Sequence, residues 1–261
     1  MLNIRKPSIA GSFYPEDPIE LRQLVKSMID KVNVASKNPK AIVVPHAGYI
    51  YSGPVAASAY ALLANAKTSI QNVVLLGPSH HLSFKGLSVS NVDHYASPLG
   101  KIPVDKNAVN RIKALGFVEE LEQAHVLEHS LEVHLPFLQE ILDKFTLVPI
   151  VAGDATPLEV CQVLELLWGG DETLIVISSD LSHYHPYNMA CHIDRETSDA
   201  IEELRWETIG YNSACGRVPL NGLLMAALRH NLKATTVDLR NSGDTAGSRD
   251  RVVGYGSYIF E

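Results

Sequence analysis

The chain has 261 residues, 46% of them hydrophobic and 20% charged, with a formal net charge of −7. That length is long for one domain and short for two, and a chain of this size buries a core without covalent staples. Lys and Arg are scattered with no basic block, which argues against a nucleic-acid surface, and no stretch approaches the ~18 apolar residues of a membrane span.

Taken in chain order, strand-like and helix-like segments alternate. Residues 18–32 form an amphipathic helix, with Leu21, Leu24, Val25, Met28, Ile29 and Val32 at helical spacing, Asp17 as cap and Pro18 in the first turn. A short apolar strand at 41–44 runs into Pro45-His46-Ala47-Gly48, and a helix is expected at 54–63. A second apolar strand at 72–76 runs into Gly77-Pro78-Ser79-His80-His81, with a third strand at 87–90 and a helix at 106–115. Residues 130–142 read as one helix with Pro136 as an irregularity, followed by a strand at 146–151 and a helix at 157–167. The buried strand 173–177 leads into Ser178-Ser179-Asp180-Leu181-Ser182-His183. Helices at 188–205 and 219–230 and closing strands at 235–239 and 252–260 complete the chain. Strands apolar along their whole length need cover on both faces. The expectation is therefore a single α/β domain over residues 1–261, with a central, mostly parallel or mixed sheet flanked by helices on both faces.

In such sheets ligands sit beyond the carboxyl ends of the strands. Three apolar strands end in histidine-bearing loops, so parallel strands would bring His46, His80 and His183 to one crevice. A lone histidine after a strand is usually an ordinary loop residue, but three at equivalent positions point to metal binding or acid/base chemistry. Asp180 fits as a metal ligand, as the anchor of a ligand histidine, or as a simple cap of the turn. Glu128 and Glu132 share a helical face at i and i+4, where they repel unless a metal, an imidazolium or an arginine lies between them. The surrounding run is not a His-Glu-x-x-His signature. Cys215 precedes the helix at 219, and that helix end together with Arg217 is expected to lower its thiol pKa, making it a thiolate ligand or a nucleophile. Cys161 and Cys191 read as buried and inert. The three cysteines are odd in number and form no CxxC pair, and the opening residues carry no apolar leader segment, so a reducing, cytoplasmic setting is expected. Residues 243–248 lack a P-loop lysine and a GxGxxG pattern and read as a flexible loop, and Gly254 and Gly256 mark a bulge or a close backbone approach.

Together, Ala10-Gly11-Ser12-Phe13-Tyr14, Pro45-His46-Ala47-Gly48-Tyr49, Gly77-Pro78-Ser79-His80-His81, residues 128–136, residues 178–183 and Cys215-Gly216-Arg217 resemble the Memo-like family, in collinear order from about residue 7 to the end. The resemblance implies a structural relation to class III extradiol dioxygenases, which are non-haem iron enzymes. It implies His46, His80 and Cys215 as ligands of one transition-metal ion, with His183 beside it as the acid/base group together with Asp180. It also implies that Tyr49 and His81 line the cleft, and the run holding Glu128, Glu132 and His134 is read from its own residues as supporting the site. A cysteine where the dioxygenases carry a carboxylate favours copper or zinc more than a carboxylate would, with iron still admitted. The expected activity is an iron- or copper-dependent oxidoreductase. The alternatives are a non-enzymatic adaptor that binds a peptide or small ligand in the same cleft and, third, a zinc hydrolase.

Overall fold

The computed structural model describes residues 2–261; Met1 lies outside them. Twelve strands and ten α-helices are found among the described residues. The strands are β1 (Ile4–Arg5), β2 (Ala41–Val44), β3 (Asn72–Pro78), β4 (Leu87–Val89), β5 (His94–Ser97), β6 (Gly100–Pro103), β7 (Val118–Glu120), β8 (Thr146–Ala152), β9 (Thr173–Ser178), β10 (His183–His185), β11 (Ala234–Asn241) and β12 (Val252–Phe260). The helices are α1 (Pro18–Ile29), α2 (Tyr49–Tyr60), α3 (Lys106–Lys113), α4 (Gln123–Val126), α5 (His129–Glu132), α6 (Leu135–Ile141), α7 (Pro157–Leu167), α8 (Tyr187–Glu202), α9 (Arg217–Arg229) and α10 (Ser242–Thr245).

The main sheet has the order β10-β12-β2-β9-β3-β8-β4-β7, with β11 also paired to β12. Its centre is parallel: β2 with β9, β9 with β3, and β3 with β8. Antiparallel partners close both sides, β12 on β2 and β4 on β8, so the sheet is mixed. Every residue of β2 and β9 is buried, as strands covered on both faces require. A small sheet, β1-β5-β6, stands apart and carries Arg5.

Local chemistry explains most boundaries. Asp17 accepts hydrogen bonds from the Ile19 and Glu20 amides and starts α1, while Thr156 and Glu159 form a capping box at α7. α2 begins at Tyr49, five residues before Pro54, which lies inside the helix. The expected helix over 130–142 is instead two, α5 and α6, broken around Val133 and His134, with Pro136 in the first turn of α6. Residues 243–245 of the expected flexible loop belong instead to the single turn α10, capped reciprocally by Asn241 and Asp244. At Gly254 a Cβ would stand 2.1 Å from the Asp194 carboxylate, the close approach its position in β12 implied.

Candidate metal centre

The parallel register Val44↔Ser178 and Leu76↔Ile177 aligns the carboxyl ends of β2, β9 and β3. His46, His80 and the 179–183 loop therefore leave the sheet at one edge. Cys215 arrives from the segment before α9 and is stitched to the β9 loop. Its amide donates to Asp180 O at 3.2 Å, the Asp180 amide donates to Cys215 Sγ at 3.3 Å, and the Gly216 amide donates to Ser179 Oγ at 3.0 Å. Only glycine fits at 216, because a Cβ there would stand 2.4 Å from Ser178 O. The metal-capable atoms of His46, His80 and Cys215 lie within 4.8 Å of one another, with His46 Nε2 3.4 Å from Sγ.

Hydrogen bonds decide which ring nitrogens face this point. The Ser178 hydroxyl donates to Ser130 O at 2.6 Å, so its oxygen accepts from His46 Nδ1, also at 2.6 Å. His80 Nδ1 faces Glu128 Oε1 at 2.8 Å, and a carboxylate only accepts. Both imidazoles thus carry their proton on Nδ1 and present the Nε2 lone pair, the form a metal requires. Glu128 also accepts the His80 amide at 2.6 Å and the Ser130 amide at 2.9 Å, fixing the His80 loop and capping α5. Burial by itself would raise the Glu128 carboxyl, but its hydrogen bonds with the His80 ring and amide and from the Ser130 amide outweigh that and bring it down to about 2.

His183 lies in β10 beside the cluster. Its Nδ1 donates to Leu181 O at 2.8 Å, which leaves Nε2 of the neutral ring as a proton acceptor. It shares a cleft of about 470 Å³ with His80, Cys215, Tyr184, Tyr211 and Arg217. Asp180 does not anchor a histidine ring through the outer nitrogen. Its Oδ1 accepts the His46 amide at 2.8 Å, its Oδ2 lies 4.0 Å from His46 Nε2, and Ser178 takes the anchoring role. Burial raises the Asp180 carboxyl to about 6 against the opposing hydrogen bond from the His46 amide. Burial likewise lowers His46 well below the usual histidine range, with the neighbouring imidazoles adding to it.

Several expectations need correction. The Cys215 thiol is pushed up, first by burial and then by the Asp180 charge, while the Arg217 guanidinium lies over the Tyr211 ring at 5.1 Å. A bound cation reverses that order, since a coordinating thiol is deprotonated outright. Tyr49 does not line the cleft; it is buried, with its hydroxyl donating to Val133 O at 2.6 Å. Glu132 belongs to a separate buried network in which it pairs with Arg5 and accepts from the Tyr14 hydroxyl and the Ser8 and Ile9 amides. The two carboxylates have separate partners, Arg5 for Glu132 and His80 for Glu128, and the Arg5 guanidinium also donates to the Glu128 backbone carbonyl. His134 is buried in the core against Tyr60, its Nδ1 3.1 Å from the hydroxyl. His81 is exposed and lines an outer arm of the cleft. Cys161 is buried as expected, whereas Cys191 is exposed.

Two contributors had no separate signal. His129 stacks on His80 at 4.5 Å and meets His46 edge-on at 5.6 Å, and with His80 and Glu128 it forms a second metal-capable group. Ser178, a serine at a strand end, sets the His46 tautomer. Spacing within 128–134 does not single out His129 from its neighbours, and the Ser178 role depends on a backbone carbonyl 48 residues away.

A family model described as Memo-like protein matches residues 5–259. A MEMO1 family protein of Aquifex aeolicus is 38% identical over 271 residues, covering 99% of this chain and 100% of the relative. Similar proteins from Methanosarcina barkeri and Sulfolobus acidocaldarius are 37% and 34% identical, covering 99% and 98% of this chain and 100% and 99% of the relatives. The crystal structure of the uncharacterized protein JW3007 from Escherichia coli K12 shares the fold with a TM-score of 0.55 at 13% identity, covering 84% of this chain and 98% of that one. With these matches running nearly end to end, the chain belongs to the Memo-like family.

Proposed function

We propose that the chain binds one transition-metal ion, iron or copper, through His46 Nε2, His80 Nε2 and Cys215 Sγ, and acts as an oxidoreductase with His183 as acid/base. One observation carries this reading: two imidazoles are locked by Ser178 and Glu128 with their lone pairs facing a thiol. His46 is buried, His80 exposed and Cys215 half-buried, so the three donor atoms converge at a point that the cleft leaves open to an incoming ion. Two nitrogens and one sulfur suit iron, copper or zinc rather than calcium or magnesium. When bound, a redox-active ion supplies oxygen chemistry or electron transfer, in keeping with the resemblance to the dioxygenases.

The chain's own residues do the rest. His183 Nε2 opens on the cleft with Nδ1 held by Leu181 O, so it takes or delivers a proton without turning. Asp180, close to both His46 and Cys215, balances positive charge there. All three cysteines are free, in keeping with the reducing cytoplasm in which we place the chain. No helix among the described residues is long and apolar enough to cross a membrane.

Metal content after anaerobic, reducing purification tests the reading, with Cys215→Ala as the parallel sample. The expected result is near one iron or copper per chain, lost in the variant, and oxygen uptake above that variant. Zinc alone would move the assignment to hydrolysis, and failure to bind any offered metal would sink the centre. A second reading, a binding protein without catalysis, draws on Tyr184 and Tyr211, which are 62% and 81% exposed at the cleft. Peptide binding that survives metal removal favours it.

A further inference from the structure

The walls of the cleft differ in charge from the rest of the molecule. The chain as a whole is acidic, at −7. Yet the cleft beside Cys215 and His80 has no acidic side chain in its lining, which includes His183, His185, Tyr184, Tyr211, Asn212 and Arg217. Arg217 is its one full cation. It makes no ion pair and no side-chain hydrogen bond among the described residues, although Asp154 lines the outer arm. Its guanidinium lies over the Tyr211 ring at 5.1 Å, which holds the stem while leaving the edge donors of the fork without an acceptor. Across the cleft Tyr184 is held at φ 59°, a left-handed conformation that costs a residue with a Cβ. Strain of that kind is kept where a side chain must be presented in a particular direction.

A planar fork without a partner, two tyrosine rings and a volume of about 470 Å³ describe a site for a small, flat molecule with an acid group. We infer that the substrate is a small organic carboxylate carrying an unsaturated or aromatic body, with its acid group on Arg217 and the body between Tyr184 and Tyr211, so that its far end reaches the Cys215–His80 edge. This rests on the proposed function only in taking the cleft as the working site. The interaction with Arg217 needs no metal. Lysine would keep the charge but lose the paired N–H geometry.

The test is calorimetric titration of metal-free and metal-loaded protein with benzoate, 4-hydroxybenzoate and cinnamate, each against its carboxamide, with inorganic phosphate as a further arm. At least one acid is expected to bind about 10-fold or more tightly than its amide, with affinity falling as salt rises. Arg217→Met is expected to abolish that preference, and Arg217→Lys to lower it by about 3-fold or more, both with wild-type melting temperature and metal content. Equal binding of acid and amide, undiminished acid binding in Arg217→Met, binding of inorganic phosphate alone, or no binding of any of the acids would each overturn the inference. Cys215→Ala separates the two ideas. If no metal binds but acid binding still depends on Arg217, the metal reading fails and this one stands.

Discussion

At the scale of single residues, the two buried glutamates of the 128–136 run look interchangeable in sequence and are not. Glu128 accepts from the His80 ring and amide, whereas Glu132 closes an ion pair with Arg5 on the far side of the same segment. Removing a partner that orients a ligand imidazole typically weakens a metal site about 10–100-fold. Glu128→Ala and Ser178→Ala are therefore expected to lower metal affinity by about that factor in a chelator-competition titration. Glu132→Gln is expected to do the opposite: it strands the buried Arg5 and costs about 3–5 kcal/mol in urea unfolding, while the protein that stays folded binds metal as before. Metal affinity lost in Glu132→Gln but kept in Glu128→Ala would reverse the two assignments.

At the scale of elements, the site is a junction of three strand ends with one helix start. β2, β3 and β9 supply His46, His80 and the Asp180 loop because they are parallel and in register. Cys215 is brought in by the turn into α9, and Gly216 lets that turn lie directly on Ser178 and Ser179. In Gly216→Ala the added methyl meets a backbone carbonyl, which cannot give way as a flexible side chain can. The expected cost is about 1–3 kcal/mol of stability, with Cys215 displaced from the histidines and metal affinity reduced. Thermal unfolding and metal titration of the same sample check both effects, and a variant with wild-type affinity would show that the turn does not position the thiol.

At the scale of the whole molecule, buried histidines tie stability to pH. His125 is lowered to about 3, chiefly by burial and then by the Arg5 charge, and burial lowers His134 to about 3 as well. Both folded values lie below the ordinary histidine range, so between about pH 6.5 and about pH 3 the unfolded chain binds protons that the folded chain does not. Stability therefore falls with falling pH across that window. These two groups remove about 4 kcal/mol between about pH 7 and about pH 5. Glu132 is also lowered, since the Arg5 charge and hydrogen bonds outweigh the opposing effect of burial, so its contribution is present above the ordinary glutamate range and is lost below it. Urea unfolding at the two pH values measures the drop, to which the lowered His46 and His129 add, and His125→Gln should remove about 2 kcal/mol of it. A wild-type stability that stays level across this interval would show that these rings are not held neutral.

The local pattern of the chain was enough to determine its class, its buried strands and the residues at their ends, while the parallel pairing of those strands came from the fold. Apolar runs such as 41–44, 72–76 and 173–177 report burial on both faces directly, and the histidine loops follow them without a gap. Capping residues set the start of α1 and α7 for the same reason, because the hydrogen bonds involved span only a few positions. Tertiary structure decided everything that depends on distant partners. The burial of Tyr49 and His134 and the pairing of Glu132 with Arg5 arise from contacts 74–127 residues apart. The direction of the Cys215 shift was decided in the same way. A helix start and a neighbouring arginine argue for a lower value, but desolvation and the Asp180 carboxylate act at full strength only once the fold has excluded water from the thiol.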